Sequence, residues 1–75
     1  MTQASSVYPD LTVSQNLSYF AAIFRCDVQR IGQVLETVDL VQVRHRLTRD
    51  LSGGQRARVS LAVALLAKPE LYLLD

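Results

Sequence analysis

The chain has 75 residues, 49% of them apolar, with a formal net charge of +1 and a single cysteine. That length excludes more than one small domain, the near-neutral charge gives no electrostatic case for nucleic acid, and Cys26 alone excludes an internal disulfide. No stretch reaches the ~18 consecutive apolar residues of a spanning helix, and the start has no basic and apolar leader pattern, so a cytosolic chain with a reduced thiol is expected.

Residues 1–10 are polar and end in Tyr8-Pro9-Asp10, which reads as loop. Thr12 and Gln15 stand at capping-box spacing, so a first helix is predicted over 12–25. Its apolar face is Val13, Leu17, Phe20, Ala21 and Phe24. A second helix is predicted over 27–38, with Asp27 as N-cap and Val28, Ile31, Leu35 and Val38 as its stripe. Gly32 costs that helix about 1 kcal/mol relative to alanine.

Residues 39–50 read as an irregular connector. It contains the basic cluster "VRHRLTRD", where Arg44, His45, Arg46 and Arg49 read as a solvated or domain-facing charge run. A third helix is predicted over 52–67, opened by a second capping-box pair, Ser52 and Gln55. Val59, Ala62, Val63 and Leu66 make one stripe, and Leu61, Ala64 and Leu65 leave the other faces apolar too. Such a helix expects burial from several directions. Lys68-Pro69 ends it. "LYLL" then reads as a strand of residues 71–75 buried on both faces, with no sheet partner in sequence.

The expected fold class is therefore mainly α, three helices and one orphan strand. With no disulfide or metal to staple it, a core this small supports only a marginal, aggregation-prone monomer. Cys26 reads as a small apolar residue, and Tyr8, Tyr19 and Tyr72 as packing residues with a polar tip.

"LSGGQ" at 51–55 carries the chemistry. Gly53 and Gly54 lack a Cβ and stand at a helix N-terminus, where unpaired amides favour phosphate. Ser52 either caps the helix or donates to a phosphate oxygen. The competing reading of the same residues is a tight turn with a cap. Asp75, closing the apolar strand, reads either as a solvated acid or as a carboxylate holding Mg²⁺.

LSGGQ, a helix, a proline and an apolar run ending in aspartate together resemble the ATP-binding subunits of ABC transporters. On that resemblance LSGGQ is the signature motif and Leu71–Asp75 the Walker B strand. "MTQASSVYPDLTVSQNLSYFAAIF" is similar to the Q-loop and the start of the helical subdomain, which makes Gln3 the Q-loop glutamine. The division implied is Q-loop region 1–11, helical subdomain 12–50, and signature motif, helix and Walker B strand 51–75. The wording of residues 8–24 most resembles the drug and ABC-2-type exporter branch, and "RHRLTRD" ahead of LSGGQ differs from the fused exporters. The short interval from Gln3 to Leu51 is unlike the DNA-repair ATPases with coiled-coil arms.

The resemblance implies an α/β P-loop NTPase parent with ATP and Mg²⁺ as ligands. Ser52, Gly53, Gly54 and Gln55 would contact nucleotide held by a second subunit in a head-to-tail dimer, Asp75 and Gln3 would serve the metal, and Gln3 would also sense the γ-phosphate. A transmembrane subunit would be the other partner, placing the protein on the inner face of the cell membrane. A Walker A loop, the glutamate after Walker B, the D-loop and the switch histidine have no counterpart here, and His45 stands too early to be that histidine. The expectation is thus a segment of a longer ATPase, inactive alone. The alternative from another class is a free-standing helical interaction module.

Overall fold

The computed structural model describes residues 7–67. The strand expected at 71–75, the helix stop at Lys68-Pro69, and Gln3, Tyr72 and Asp75 lie outside them. Within them the chain forms α1 (Val13–Phe24), α2 (Gln29–Thr37) and α3 (Gly53–Ala67), with 3₁₀ turns at Val41–Val43 and Thr48–Asp50 between α2 and α3. The mainly helical expectation holds over this span.

The capping box of α1 forms as its spacing predicts. Gln15 N–H donates to Thr12 Oγ1 at 3.0 Å, and Thr12 N–H donates to Gln15 Oε1 at 2.9 Å. At the other end Arg25 turns left-handed at φ 60°, Cys26 N–H reaches Ala21 O at 2.8 Å, and Arg25 N–H reaches Ala22 O at 3.3 Å. This is a Schellman ending with arginine where glycine is usual. α2 closes the same way: Asp39 adopts φ 61°, Leu40 N–H donates to Leu35 O at 2.9 Å, and Asp39 N–H to Glu36 O at 3.2 Å. Leu40, just past that turn, is buried.

The predicted start of α2 needs correction. Asp27 Oδ1 does accept from Gln29 N–H at 3.2 Å, but the N-cap is Val28, and the first amides of α2 make short turn bonds, Arg30 to Asp27 O and Ile31 to Val28 O. Val28 therefore stays in the entry turn, 74% exposed. The buried stripe is Val34, Leu35 and Val38 with Ile31 half-buried, a run at helical spacing that begins one turn later. Phe24, expected on the core face of α1, is 38% exposed because the helix ends there, and it lies against Phe20 with ring centroids 6.1 Å apart.

One core joins the three helices. It combines Val13, Leu17, Phe20 and Ala21 of α1 with Val34, Leu35, Val38 and Leu40 around α2, and with Leu51, Val59, Ala62, Leu65 and Leu66. Each large side chain removed from water there contributes about 1.5–3 kcal/mol. The last turn of α3 is tied down by donors from α2 and the turn before it: Cys26 Sγ donates to Leu66 O at 3.1 Å and Arg30 Nη2 to Leu65 O at 2.9 Å. These satisfy carbonyls that a helix end leaves without intrahelical partners. Leu61 and Ala64, on the outer side of α3, remain exposed. The burial that sequence expects on several sides of this helix is met on one side among the described residues.

The connector is more ordered than its composition suggests. Its backbone forms a seam with the entry to α1, through Thr48 N–H to Leu11 O at 2.9 Å, Arg49 N–H to Pro9 O at 3.1 Å, and an antiparallel bridge between Thr12 and Leu47. Side chains of the basic cluster point mostly outward: His45, Arg46 and Arg49 are exposed, while Arg44 is half-buried and donates to Val41 O at 2.8 Å. Arg49 pairs with Asp10 at 2.9 Å. With both side chains more than half exposed, that pair adds little stability.

Candidate functional site

The turn that opens α3 is presented by a short, braced lead-in. Thr48–Asp50 forms a 3₁₀ turn, Leu51 N–H closes it on Thr48 O at 3.1 Å, and the Leu51 side chain is sunk in the core. Ser52 follows at once as N-cap. Gln55 N–H donates to Ser52 Oγ at 3.1 Å, and Ser52 N–H donates to Gln55 Oε1 at 3.0 Å, so the predicted capping box forms in full. Arg56 N–H then enters the helix ladder on Ser52 O at 2.9 Å.

This box closes the amides of Ser52 and Gln55 and leaves those of Gly53 and Gly54. No group among the described residues accepts from either, and both glycines are exposed. The same box at α1 is finished differently. There Val13 N–H donates to Arg46 O at 3.1 Å and Ser14 N–H to Arg44 O at 2.9 Å, so connector carbonyls complete the helix start. Two helices with one capping device thus start in opposite states, the first sealed by connector carbonyls and the third left open, at its positive dipole end, by the described residues. The Ser52 hydroxyl hydrogen and the Gln55 side-chain NH₂ add further donors at this corner.

The backbone at these glycines is ordinary. Neither has positive φ, and a Cβ built on either meets no atom of the chain within 4 Å. The capping half of the competing reading is met, and neither glycine's backbone angle or surroundings require the absence of a Cβ among the described residues. Within the described residues, what a missing Cβ provides is access to the amides from outside.

Asn16 and Thr48, which sequence reasoning did not single out, brace this corner from behind. Asn16 is fully buried; its Oδ1 accepts from Tyr8 N–H at 2.7 Å. Its Nδ2 donates to Tyr8 O at 2.9 Å, Thr12 O at 3.2 Å and Thr48 Oγ1 at 2.9 Å. The available signal was positional, since Asn16 occupies the i+3 slot of the stripe running from Val13 through Leu17 and Phe20.

Beside it, Tyr8, Pro9, Asp10, Leu11 and Tyr19 line an open depression of about 370 Å³. Tyr8 and Tyr19 meet edge to face at 5.1 Å, and Tyr8 Oη donates to Tyr19 Oη at 3.4 Å. That hydrogen bond, with the neighbouring phenolate charge second, raises the Tyr8 pKa above the usual phenol range. These tyrosines pack on one another at the surface, each over 40% exposed.

Among the described residues no His/Cys/Asp/Glu group of metal-binding size occurs, and no helix is long and apolar enough to cross a membrane. The structure brings Ser52, Gly53, Gly54 and Gln55 together at one helix start. Gln3 and Asp75, the other two expected site residues, fall outside the described span.

Comparison with known proteins gives the family. The chain is 36% identical over 77 residues to the maltose/maltodextrin import ATP-binding protein MalK of Yersinia pestis, covering 97% of this chain and 21% of that protein. The trehalose/maltose import ATP-binding protein MalK of Thermococcus litoralis matches with the same identity and coverage. ABC transporter G family member 20 of Dictyostelium discoideum is 38% identical over 97% of this chain and 10% of its own length. The chain thus spans about a fifth of the length of the import proteins it matches. The ABC transporter family profile covers residues 1–75, and the chain belongs to that family.

Proposed function

We propose that this chain supplies the signature side of an ATP site shared between two ATP-binding subunits of an ABC transporter. In this reading Ser52, Gly53, Gly54 and Gln55 contact the γ-phosphate of a nucleotide whose remaining contacts come from the opposing subunit. The observation that carries it is the pair of exposed amides at Gly53 and Gly54, without an acceptor among the described residues, at the positive end of a helix whose capping box is complete. The described residues give no intramolecular reason for glycine at either position, and close approach by an external anion gives one.

The residues present fit such a ligand by donor chemistry. Residues 52–55 carry two backbone N–H groups, a hydroxyl hydrogen and a side-chain amide at one helix start, with no carboxylate among them. Bound ATP would supply the phosphoryl group that is cleaved to ADP and phosphate. This chain's part is to orient the terminal phosphate and exclude water from one side of it. Mg²⁺ would be held by Asp75, with Gln3 reaching toward the metal and the attacking water; both roles rest on the family pattern.

The whole assembly would drive solute movement through a transmembrane partner, with this subunit on the inner face of the cell membrane. The names of the relatives, which include import ATP-binding proteins and a G-family transporter, support transport as the coupled work. Nucleic acid plays no part in this reading.

The experiment is a mixing assay. The purified chain is expected to hydrolyse ATP negligibly by itself, yet to associate with an intact ABC ATP-binding subunit when MgATP is present. Association that ignores MgATP overturns the proposal. So does vigorous turnover by the chain alone that Asp75→Ala abolishes, because the shared-site account would then be unnecessary.

A further inference from the structure

Besides its bond to Thr12 O at the start of its own helix, the Asn16 side chain joins two separate segments of the chain. Its amide holds both backbone groups of Tyr8, in the stretch that follows Gln3, and it holds Thr48, in the turn that precedes Ser52. Resting on the reading of residues 52–55 given above, we propose that Asn16 is a positioning residue for the LSGGQ turn, acting through Thr48 so that the direction of the Gly53 and Gly54 amides depends on where the Tyr8 segment sits.

The path from Thr48 to those amides contains no slack. Thr48, Arg49 and Asp50 form one 3₁₀ turn, Leu51 is anchored in the core, and Ser52 is already the helix cap. A displacement of Thr48 is therefore handed on to Ser52 rather than absorbed. Thr48 is 1% exposed and Asn16 is fully buried. Water has no access to replace the bond between them, and a hydrogen bond in such surroundings is strong and directional. The backbone seam from Pro9 and Leu11 to Arg49 and Thr48 holds the two segments side by side. Asn16 adds the cross-tie that reaches Tyr8 and fixes the rotation of the turn about that seam.

Thr48→Val tests this without orphaning a buried donor, because the two Nδ2 hydrogens keep the carbonyls of Tyr8 and Thr12. Thr48→Ser restores the hydroxyl and serves as the rescue. In the full chain, Thr48→Val is expected to lower the ¹⁵N heteronuclear NOE of Gly53 and Gly54 and to move the Tyr8 amide signal. The α2 amides of Val34 and Leu35 should stay unchanged, and Thr48→Ser should match the parent chain. MgATP-dependent affinity for an intact ABC ATP-binding subunit should fall about fivefold with valine and return with serine.

Unchanged glycine amides with valine, or loosening spread equally into α2, would overturn the proposal. If valine prevents folding, urea-dependent amide exchange of the parent chain decides the matter. Tyr8 and Thr48 must then open together as one unit, and independent opening refutes the tie. Failure of the parent chain to bind the ATP-loaded subunit sinks the shared-site reading alone, since the NMR comparison judges Asn16 separately.

Discussion

Asn16 Nδ2 donates to Thr48 Oγ1 at 2.9 Å, binding the first turn of α1 to the 3₁₀ turn immediately ahead of Leu51. Residues 32 apart in sequence thus meet as two polar groups inside an otherwise apolar core. Buried polar groups in that setting are stable only when all their partners are present. The two ends of this bond are consequently unequal in what their loss would do.

Asn16→Ala removes all four bonds and leaves the Thr48 hydroxyl buried without its donor, so a loss of about 2–3 kcal/mol is expected. Thr48→Val deletes one bond and strands nothing, for a loss of about 1 kcal/mol. Urea unfolding of both variants checks the ordering. Equal losses would mean that the Tyr8 contacts contribute nothing.

Gly32 lies in the exposed interior of α2, and a Cβ there meets nothing within 4 Å. Gly32→Ala is expected to stabilise the chain by about 0.5–1 kcal/mol through lower backbone entropy in the unfolded state. A thermal melt decides it. A fall in midpoint would show that α2 needs freedom at this position.

Tyr8 is held protonated by its hydrogen bond to Tyr19 and by the neighbouring phenolate charge. A raised folded-state pKa stabilises the fold fully below the unfolded phenol's pKa, and that contribution is lost as pH climbs through the folded value. Tyrosinate absorbance should therefore show one phenol titrating late in the folded chain. Tyr19→Phe should return it to the ordinary range, and a late titration that survives the substitution would assign the effect elsewhere.

Local devices were legible in the sequence, and long-range ones were not. Both capping boxes were readable because each is a pair of side chains three positions apart, and both form. The left-handed residues Arg25 and Asp39 were hidden because neither is glycine, so the Schellman endings that set the exits of α1 and α2 carried no compositional mark. Val28 falls on the predicted stripe of α2 and Val34 off it, because a stripe counted from the cap starts one turn ahead of the buried run. The seam over Arg44–Arg49 was unreadable for a different reason: it is made by backbone carbonyls, to which side-chain identity is indifferent. Of the candidate site, the LSGGQ corner was legible from its motif, whereas its bracing by Asn16 required the fold.

The final prediction separates stability from function at that corner. Gly53 and Gly54 stand in the first turn of α3 with ordinary backbone angles and open space where a Cβ would go. On intramolecular grounds alone, Gly53→Ala and Gly54→Ala should be neutral or stabilising by up to about 1 kcal/mol, since alanine is the better helix former. On the shared-site reading each methyl group stands between the amides and an approaching phosphate, and MgATP-dependent association with an intact subunit should fall at least tenfold, about 1.4 kcal/mol. Ser52→Ala provides the contrast. It removes the cap as well as a donor, so it should lower stability by about 1 kcal/mol along with binding. Measuring melts and association on the same three variants distinguishes the accounts, because only an external ligand makes the glycine variants more stable and less functional at once. Glycine variants that melt higher and bind as tightly as the parent would remove the reason for assigning these amides to nucleotide.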